Sequence, residues 1–227
     1  MIRLAVLISG RGSNMLCLAD AIENYKIDAT IALVVSNKYC DGIALAKARG
    51  FATKVLKRSD FDNRPAHDVA IVSAIEDYHV DYVFLAGYMA ILGSVFVDQF
   101  AGKLINIHPS LLPAFKGLDT HQRAIDAGAK KHGVSIHLVN TALDEGPLIL
   151  QASLAVAETD TAKTLASRVL QLEHQIYPFV LLSLAAQNVT LLPDEVIWHV
   201  TTLAAAPAEL QNVLAPCVIW PDGSSQW

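Results

Sequence analysis

The sequence predicts an α/β fold built on a mostly parallel sheet. Three observations lead there. Apolar, β-branched runs alternate with segments of helical periodicity; several of those runs are apolar throughout instead of at every second residue; and the chain is rich in apolar residues (53%) and poor in charged ones (17%). Strands buried on both faces need that composition. Regular alternation of strand and helix gives a parallel sheet with crossover helices. At 227 residues one core is the default, although the length lies near the point where cores divide.

Leu4–Ile8 is the first strand, and it runs straight into the turn Ser9-Gly10-Arg11-Gly12-Ser13-Asn14. Helical spacing follows over Asn14–Tyr25, a second strand over Thr30–Val35 and a second helix over Gly42–Ala48. A short strand near Ala52–Val55 completes the first half. The alternation continues through a helix at Arg64–Tyr78, strands at Tyr82–Ala86 and Leu104–Ile107, a helix at Thr120–Ala127 and a strand at Val134–Val139. Leu148–Val156 reads as a later strand entered through Asp144-Glu145-Gly146-Pro147. Thr161–Leu184 carries apolar residues at helical spacing through Leu165, Val169, Leu172 and Ile176, so one long helix is expected, disturbed at Pro178. Val189–Leu192 and Val196–Thr201 are expected to pair as a hairpin about Pro193-Asp194. The Ala- and Pro-rich remainder is expected to be an appendage and not a domain.

Several function classes fall away on composition. A membrane span needs about 18 consecutive apolar residues, and Leu4–Ile8 and Phe179–Ala186 fall far short. Met1-Ile2-Arg3 before an apolar run superficially resembles a signal peptide, but the run is too short and ends in a Gly-rich turn. Cys17, Cys40 and Cys217 are odd in number, far apart and without CxxC spacing, which argues against a disulfide framework or a zinc site and for a reducing, cytoplasmic setting. A net charge of −5 with no cluster of basic residues gives no footprint for nucleic acid. His121, His132 and His137 lack metal-site spacing, and no GxSxG elbow is present.

Two segments carry chemistry. The turn Gly10–Asn14 aims backbone N–H groups and a helix N-terminus at its contents, a setting suited to phosphate. A dinucleotide fingerprint would need a third glycine near Leu16 and an acid at the second strand's end, where Ser36-Asn37 stand. The same turn is also explained as a plain chain reversal with Ser13 or Asn14 capping the helix.

The second segment is Leu104–Pro113. Asn106 and His108 lie two apart at the carboxyl end of a strand, so they share one face, and Pro109 and Pro113 stiffen the loop beyond. Acyl transfer to an amine needs a donor for a developing oxyanion, an acid for the leaving nitrogen and a group that keeps the acid charged. Asn106 and His108 suit the first two tasks, and Asp144 is a candidate for the third. The sequence equally admits a strand-end histidine bonded to backbone and an aspartate that merely turns the chain.

The run Asn106 to Pro113, followed later by Leu143-Asp144-Glu145-Gly146-Pro147, resembles the family of formyltransferases that use or hydrolyse 10-formyltetrahydrofolate. Ile8 to Asn14, Ala86-Gly87-Tyr88-Met89 and Glu173 to Pro178 are similar to its glycinamide ribonucleotide branch. The resemblance covers residues 1 to about 190. It implies a Rossmann-like formyltransferase fold: a mostly parallel twisted sheet, helices on both faces and a C-terminal hairpin. Residues 1–190 would form the formyltransferase domain, with the phosphoribosyl site in its N-terminal half and the folate site in its C-terminal half; residues 191–227 would be hairpin and tail.

By the same resemblance the reaction moves the formyl group of 10-formyltetrahydrofolate, without a metal, to the amine of phosphoribosylglycinamide in purine synthesis. Asn106, His108 and Asp144 would be catalytic. Gly12, Ser13, Asn14 and Glu173 would bind the amine substrate. Arg64, Met89, Ala90, Ile91, Leu92, Asn106, Asn140 and Asp144 would border the folate. Ala90, Asp119 and Glu145 depart from residues common in the family (arginine, histidine and glycine) and bear on affinity more than on activity. The rival readings are a 10-formyltetrahydrofolate hydrolase and a formyltransferase for another amine. Relatives of those kinds carry an extra domain before or after the core, and this chain starts at its first strand and has a short tail. The expected partners are small molecules, not nucleic acid or membrane, and the expected state is monomer or homodimer. A non-catalytic nucleotide-binding protein is a further alternative.

Overall fold

Ile2–Ile8 form β1, and Leu4 through Ile8 are wholly buried. The structure is a computed structural model that describes residues 1–200, 203 and 206–224. The chain forms two compact units, Met1–Asn106 with Val139–Thr141, and Ile107–Leu138 with Ala142–Trp227.

In the first unit β1 is followed by α1 (Ser13–Asn24), β2 (Ala29–Ser36), α2 (Asp41–Ala48), β3 (Thr53–Val55), a short 3-10 turn at Arg58–Asp60, α3 (Arg64–Glu76), β4 (Tyr82–Leu85), α4 (Ser94–Gln99) and most of β5 (Leu104–His108). All pairings are parallel: β1 with β2 (Ile8 opposite Ser36), β1 with β4 (Leu7 opposite Leu85), β2 with β3 and β4 with β5. Alternate residues Ala5 and Leu7, Leu33 and Val35, Val83 and Leu85 build one apolar face, against which Ile71 and Ile75 of α3 and Phe96 and Val97 of α4 pack. The period of two along each strand decides which residues meet the helices. Helix α4 was not foreseen, because six residues with only Phe96 and Val97 buried leave no readable periodicity.

The second unit holds the end of β5, α5 (Thr120–Asp126), β6 (Lys131–Leu138), β7 (Leu148–Ala155), α6 (Ala162–Ala185), β8 (Val189–Leu192), β9 (Glu195–Trp198), α7 (Ala208–Leu214) and β10 (Val218–Ile219). Here the pairing is antiparallel: β6 with β7, and β7 with β10 through Val218 opposite Ala152. The main sheet has eight strands in the order β10-β7-β6-β5-β4-β1-β2-β3, and β8 and β9 form a separate hairpin. The fold is therefore the expected mostly parallel α/β sheet with a C-terminal hairpin.

Most boundaries shift by one or two residues, and three features differ in a way that has a physical reason. Strand β6 starts at Lys131 and not Val134, because its first residues pair with Leu154 and Ala155 although the polar Lys131 and His132 conceal the run. Helix α6 passes through Pro178 without a break, opened by a Thr161–Thr164 capping box. The hairpin turns tightly, Leu192 opposite Glu195, so its second strand begins one residue early; the expected end at Thr201 lies outside the described residues. Within the tail, α7 and β10 were not foreseen: Leu210 and Leu214 bury one face of a short helix, and Trp220 is 2% exposed against Trp198.

Candidate active site

Strand β5 presents Asn106 and His108 on one face, and the chain turns away at Pro109. His108 is buried. Its Nδ1 lies 3.5 Å from Asp144 Oδ2, and its Nε2 lies 3.0 Å from the Phe115 carbonyl oxygen. Both ring nitrogens face acceptors, and only the imidazolium donates to both at once. Asp144 sits in the left-handed region at φ 52, where aspartate is one of the few tolerated residues, and Oδ2 also accepts the Gly117 N–H at 2.8 Å. Oδ1 lies 3.8 Å from His137 Nε2. Burial lowers the His137 pKa, outweighing the bond of Nδ1–H to the Leu138 carbonyl and the pull of Asp144, so His137 stays neutral.

The loop after His108 is fixed from β6 and β7. Ser135 Oγ donates to the Ser110 carbonyl at 2.6 Å and accepts from the Leu112 N–H at 3.0 Å and from Gln151 Nε2 at 2.7 Å. Gln151 Nε2 also reaches the Leu112 carbonyl, and Ser110 Oγ donates to the Ala114 carbonyl. Sequence reasoning passed over Ser135 and Gln151; the available signal was a polar residue between the apolar Val134 and Ile136.

Phe115, Gly117 and Asp119 all have positive φ, and the segment they form lies against His108 and Asp144 through Phe115 and Gly117. Lys116 Nζ meets Glu145 Oε1 at 2.8 Å, which gives the unusual Glu145 a partner outside the His108–Asp144 pair. Asp119 is exposed at the N-terminus of α5 and makes no capping bond. Nearby, His121 Nδ1 and His132 Nε2 stand 3.1 Å apart. Burial first, then the charges of His121 and His108, push the His132 pKa down to about 4, and burial and His108 lower that of His121.

In the first unit, the Gly10–Asn14 turn opens α1. Gly12 has φ 75, and a Cβ there would lie 2.9 Å from the Gly42 Cα, so glycine is needed both for the turn and for the approach of α2. Ser13 is half-buried and Asn14 buried. Ser9 Oγ donates to Asn37 Oδ1 at 2.7 Å and accepts the Met89 N–H at 2.8 Å. Met89–Leu92 is irregular, with Met89 and Ile91 about 70% exposed (70% and 71%), while Ala90 and Leu92 are half-buried. Arg64 is exposed at the start of α3, and Asn140 is half-buried just past β6.

The structure thus brings His108 and Asp144 together and places Asn106 beside His108 on the strand. Gly12, Ser13 and Asn14 stand at one helix N-terminus, whereas Glu173 belongs to the second unit, buried at mid-length in α6. Seven of the eight predicted folate residues belong to the first unit, and Asp144 alone to the second. Among the described residues no group of three or more His, Cys, Asp or Glu stands together to hold a metal ion, and no helix is long and apolar enough to cross a membrane.

A strand-end histidine backed by a carboxylate is an arrangement suited to proton transfer, which acyl-group transfer to an amine requires. Residues 2–181 match the formyl transferase family, and the chain belongs to it. It is 46% identical over 180 residues to the phosphoribosylglycinamide formyltransferase of Escherichia coli strain K12, covering 78% of this chain and 84% of that one. Among solved structures, it is similar to the phosphoribosylglycinamide formyltransferase of Coxiella burnetii, in complex with CHES (TM-score 0.83, 40% identity, 87% and 93% of the two chains). The enzyme of that name from Brucella melitensis is 47% identical, with a TM-score of 0.78 over 82% and 96% of the chains.

Proposed function

We propose that this chain is a phosphoribosylglycinamide formyltransferase. It moves the formyl group of 10-formyltetrahydrofolate to the amine of N1-(5-phospho-D-ribosyl)glycinamide, giving the N-formyl product and tetrahydrofolate in purine synthesis. The observation that carries the reading is the buried His108–Asp144 pair at the end of β5, two residues past Asn106.

The amine nitrogen attacks the formyl carbon, negative charge grows on the formyl oxygen, the bond to the folate nitrogen breaks as that nitrogen takes a proton, and the attacking nitrogen gives up a proton in turn, which restores the one His108 has donated. Asn106 donates to the growing oxyanion. His108 supplies the proton, and Asp144 holds the ring in orientation and favours its charged form. Burial holds His137 neutral, and the Asp144 carboxylate also accepts the Gly117 N–H, which fixes the carboxylate beside His108.

For the amine substrate, the α1 N-terminus at Gly12, Ser13 and Asn14 takes the phosphate and ribose side, and Glu173 takes ribose or amine. Arg64, Met89–Leu92, Asn106, Asn140 and Asp144 border the folate. Exposed Met89 and Ile91 on an irregular turn fit a flat, partly apolar ring system. Residues 1–190 form the formyltransferase domain and 191–227 its hairpin and tail. The protein works on small molecules, without nucleic acid, as a monomer or homodimer. A cytoplasmic location is supported by three free cysteines, with burial holding the Cys17 and Cys217 thiols up at about 12 and about 11.

The test is to follow folate absorbance with 10-formyltetrahydrofolate present, with and without phosphoribosylglycinamide. Turnover that requires the ribonucleotide supports the reading. Turnover without it favours the hydrolase, and none in either case overturns formyl transfer to this acceptor.

A further inference from the structure

Asp68 lies one turn after Arg64 on α3 and is 1% exposed. Its Oδ2 accepts the Gly93 N–H at 2.8 Å. The approach is close: a Cβ on residue 93 would stand 2.5 Å from Asp68 Oδ2 and 3.5 Å from Arg64 Nε. Oδ1 has no hydrogen-bond partner, and neither does the buried hydroxyl of Tyr88. Burial, and secondarily the Asp68 charge, raises the Tyr88 phenol pKa, which keeps that hydroxyl protonated.

A buried carboxylate with one hydrogen bond is a poor way to stabilise a fold. Its desolvation is only partly offset, and an amide or an apolar side chain of the same size would cost less. What Asp68 does secure is one end of the irregular Met89–Gly93 segment. Ser9 Oγ secures the other end through the Met89 N–H. Between the two fixed amides lie Ala90, Ile91 and Leu92, and no helix or strand hydrogen-bonding pattern holds them. The same carboxylate ties this segment to the turn of α3 that carries Arg64, so one side chain sets the spacing between two parts of the expected folate site.

We propose that Asp68 is a positioning residue for the folate co-substrate, holding the Met89–Gly93 turn and Arg64 in their binding arrangement through the Gly93 N–H. The inference rests on the formyl-transfer reading above.

The test compares Asp68→Ala, Asp68→Asn and wild type in steady-state kinetics for both substrates, in equilibrium binding of 5-formyltetrahydrofolate and in thermal unfolding. Losing the bond to Gly93 raises the folate KM and the 5-formyltetrahydrofolate Kd by about tenfold or more in Asp68→Ala, with kcat and the KM for the ribonucleotide changed less than about threefold. Asp68→Asn keeps an acceptor for Gly93 without the buried charge, so it restores folate affinity and raises Tm. Should the alanine variant not fold, Asp68→Leu fills the space without an acceptor and takes its place. Unchanged folate KM, equal loss for both substrates, or an asparagine variant as weak as the alanine one overturns the inference. A wild type that turns over and binds the folate while the variants do not differ from it isolates that failure from the functional reading; a wild type that does neither overturns both.

Discussion

His108 has two acceptors and Asp144 two imidazoles at hand, and burial decides how the charge is shared. Burial holds His137 neutral, and His108 lies nearer the carboxylate, at 3.5 Å against 3.8 Å. General acid catalysis, the role proposed for His108, contributes on the order of a hundredfold or more. His108→Ala and Asp144→Ala are therefore expected to lower kcat by about that factor while keeping the far-UV dichroism and cooperative unfolding of wild type. Full activity or unfolding in both would contradict the assignment. The histidines also predict a pH dependence of stability. In the unfolded chain His132 titrates near 6.5, whereas in the fold its pKa is about 4. Between those values the unfolded state binds a proton that the folded state refuses, so stability falls as pH drops through the window. His121, His137 and His174 are shifted in the same direction. Denaturant titrations from pH 7 to pH 4 should thus show a shallower loss for His132→Gln than for wild type; identical slopes would remove His132 from the account. At this scale the sequence made Asn106, His108 and Asp144 legible because their chemistry follows from residue type and spacing. It did not make Asp68, Ser135 or Gln151 legible, because their partners are backbone groups 25, 25 and 39 residues away, and nothing in the local pattern names them.

Strands β6 and β7 carry the polar network that fixes the loop after His108, and Gly133 sets how closely they approach. A Cβ there would lie 2.0 Å from the Ala152 carbonyl oxygen, which backbone alone would have to yield. Gly133→Ala should destabilise by about 3 kcal/mol in denaturant unfolding; a change below about 0.5 kcal/mol would show that the ladder is more pliable than the geometry implies. At the α1 N-terminus, Ser13→Asp places a negative charge where phosphate is expected, so the KM for phosphoribosylglycinamide should rise well above any change in the folate KM. Equal loss of both would contradict the placement. Most elements were readable in advance: buried parallel strands such as β1 and β2 announce themselves as unbroken apolar runs, and α6 as a long periodic stripe. Helices α4 and α7 were not, although α5, as short as α7, was.

For the molecule as a whole, described residues after the family match at 181 take part in the packing. Strand β10 extends the sheet beyond β7, and Trp220 meets Trp198 edge-on at 4.7 Å and Phe179 at 6.2 Å. Trp220→Ala should lower stability by about 3–5 kcal/mol while leaving kcat near wild type at temperatures where the variant is folded; an unchanged Tm would show that the tail contributes little. Composition read this tail only as Ala- and Pro-rich, because its value lies in where one indole is buried. The central claim, formyl transfer from the folate to the ribosylamine at His108, is tested most directly by tracking the carbon itself. With a ¹³C-labelled formyl donor, phosphoribosylglycinamide and the enzyme, the carbon NMR spectrum should show the label in an amide on the ribonucleotide, matched by folate released and abolished in His108→Ala. Label collecting as free formate, or an amide forming equally fast in the His108 variant, would contradict it.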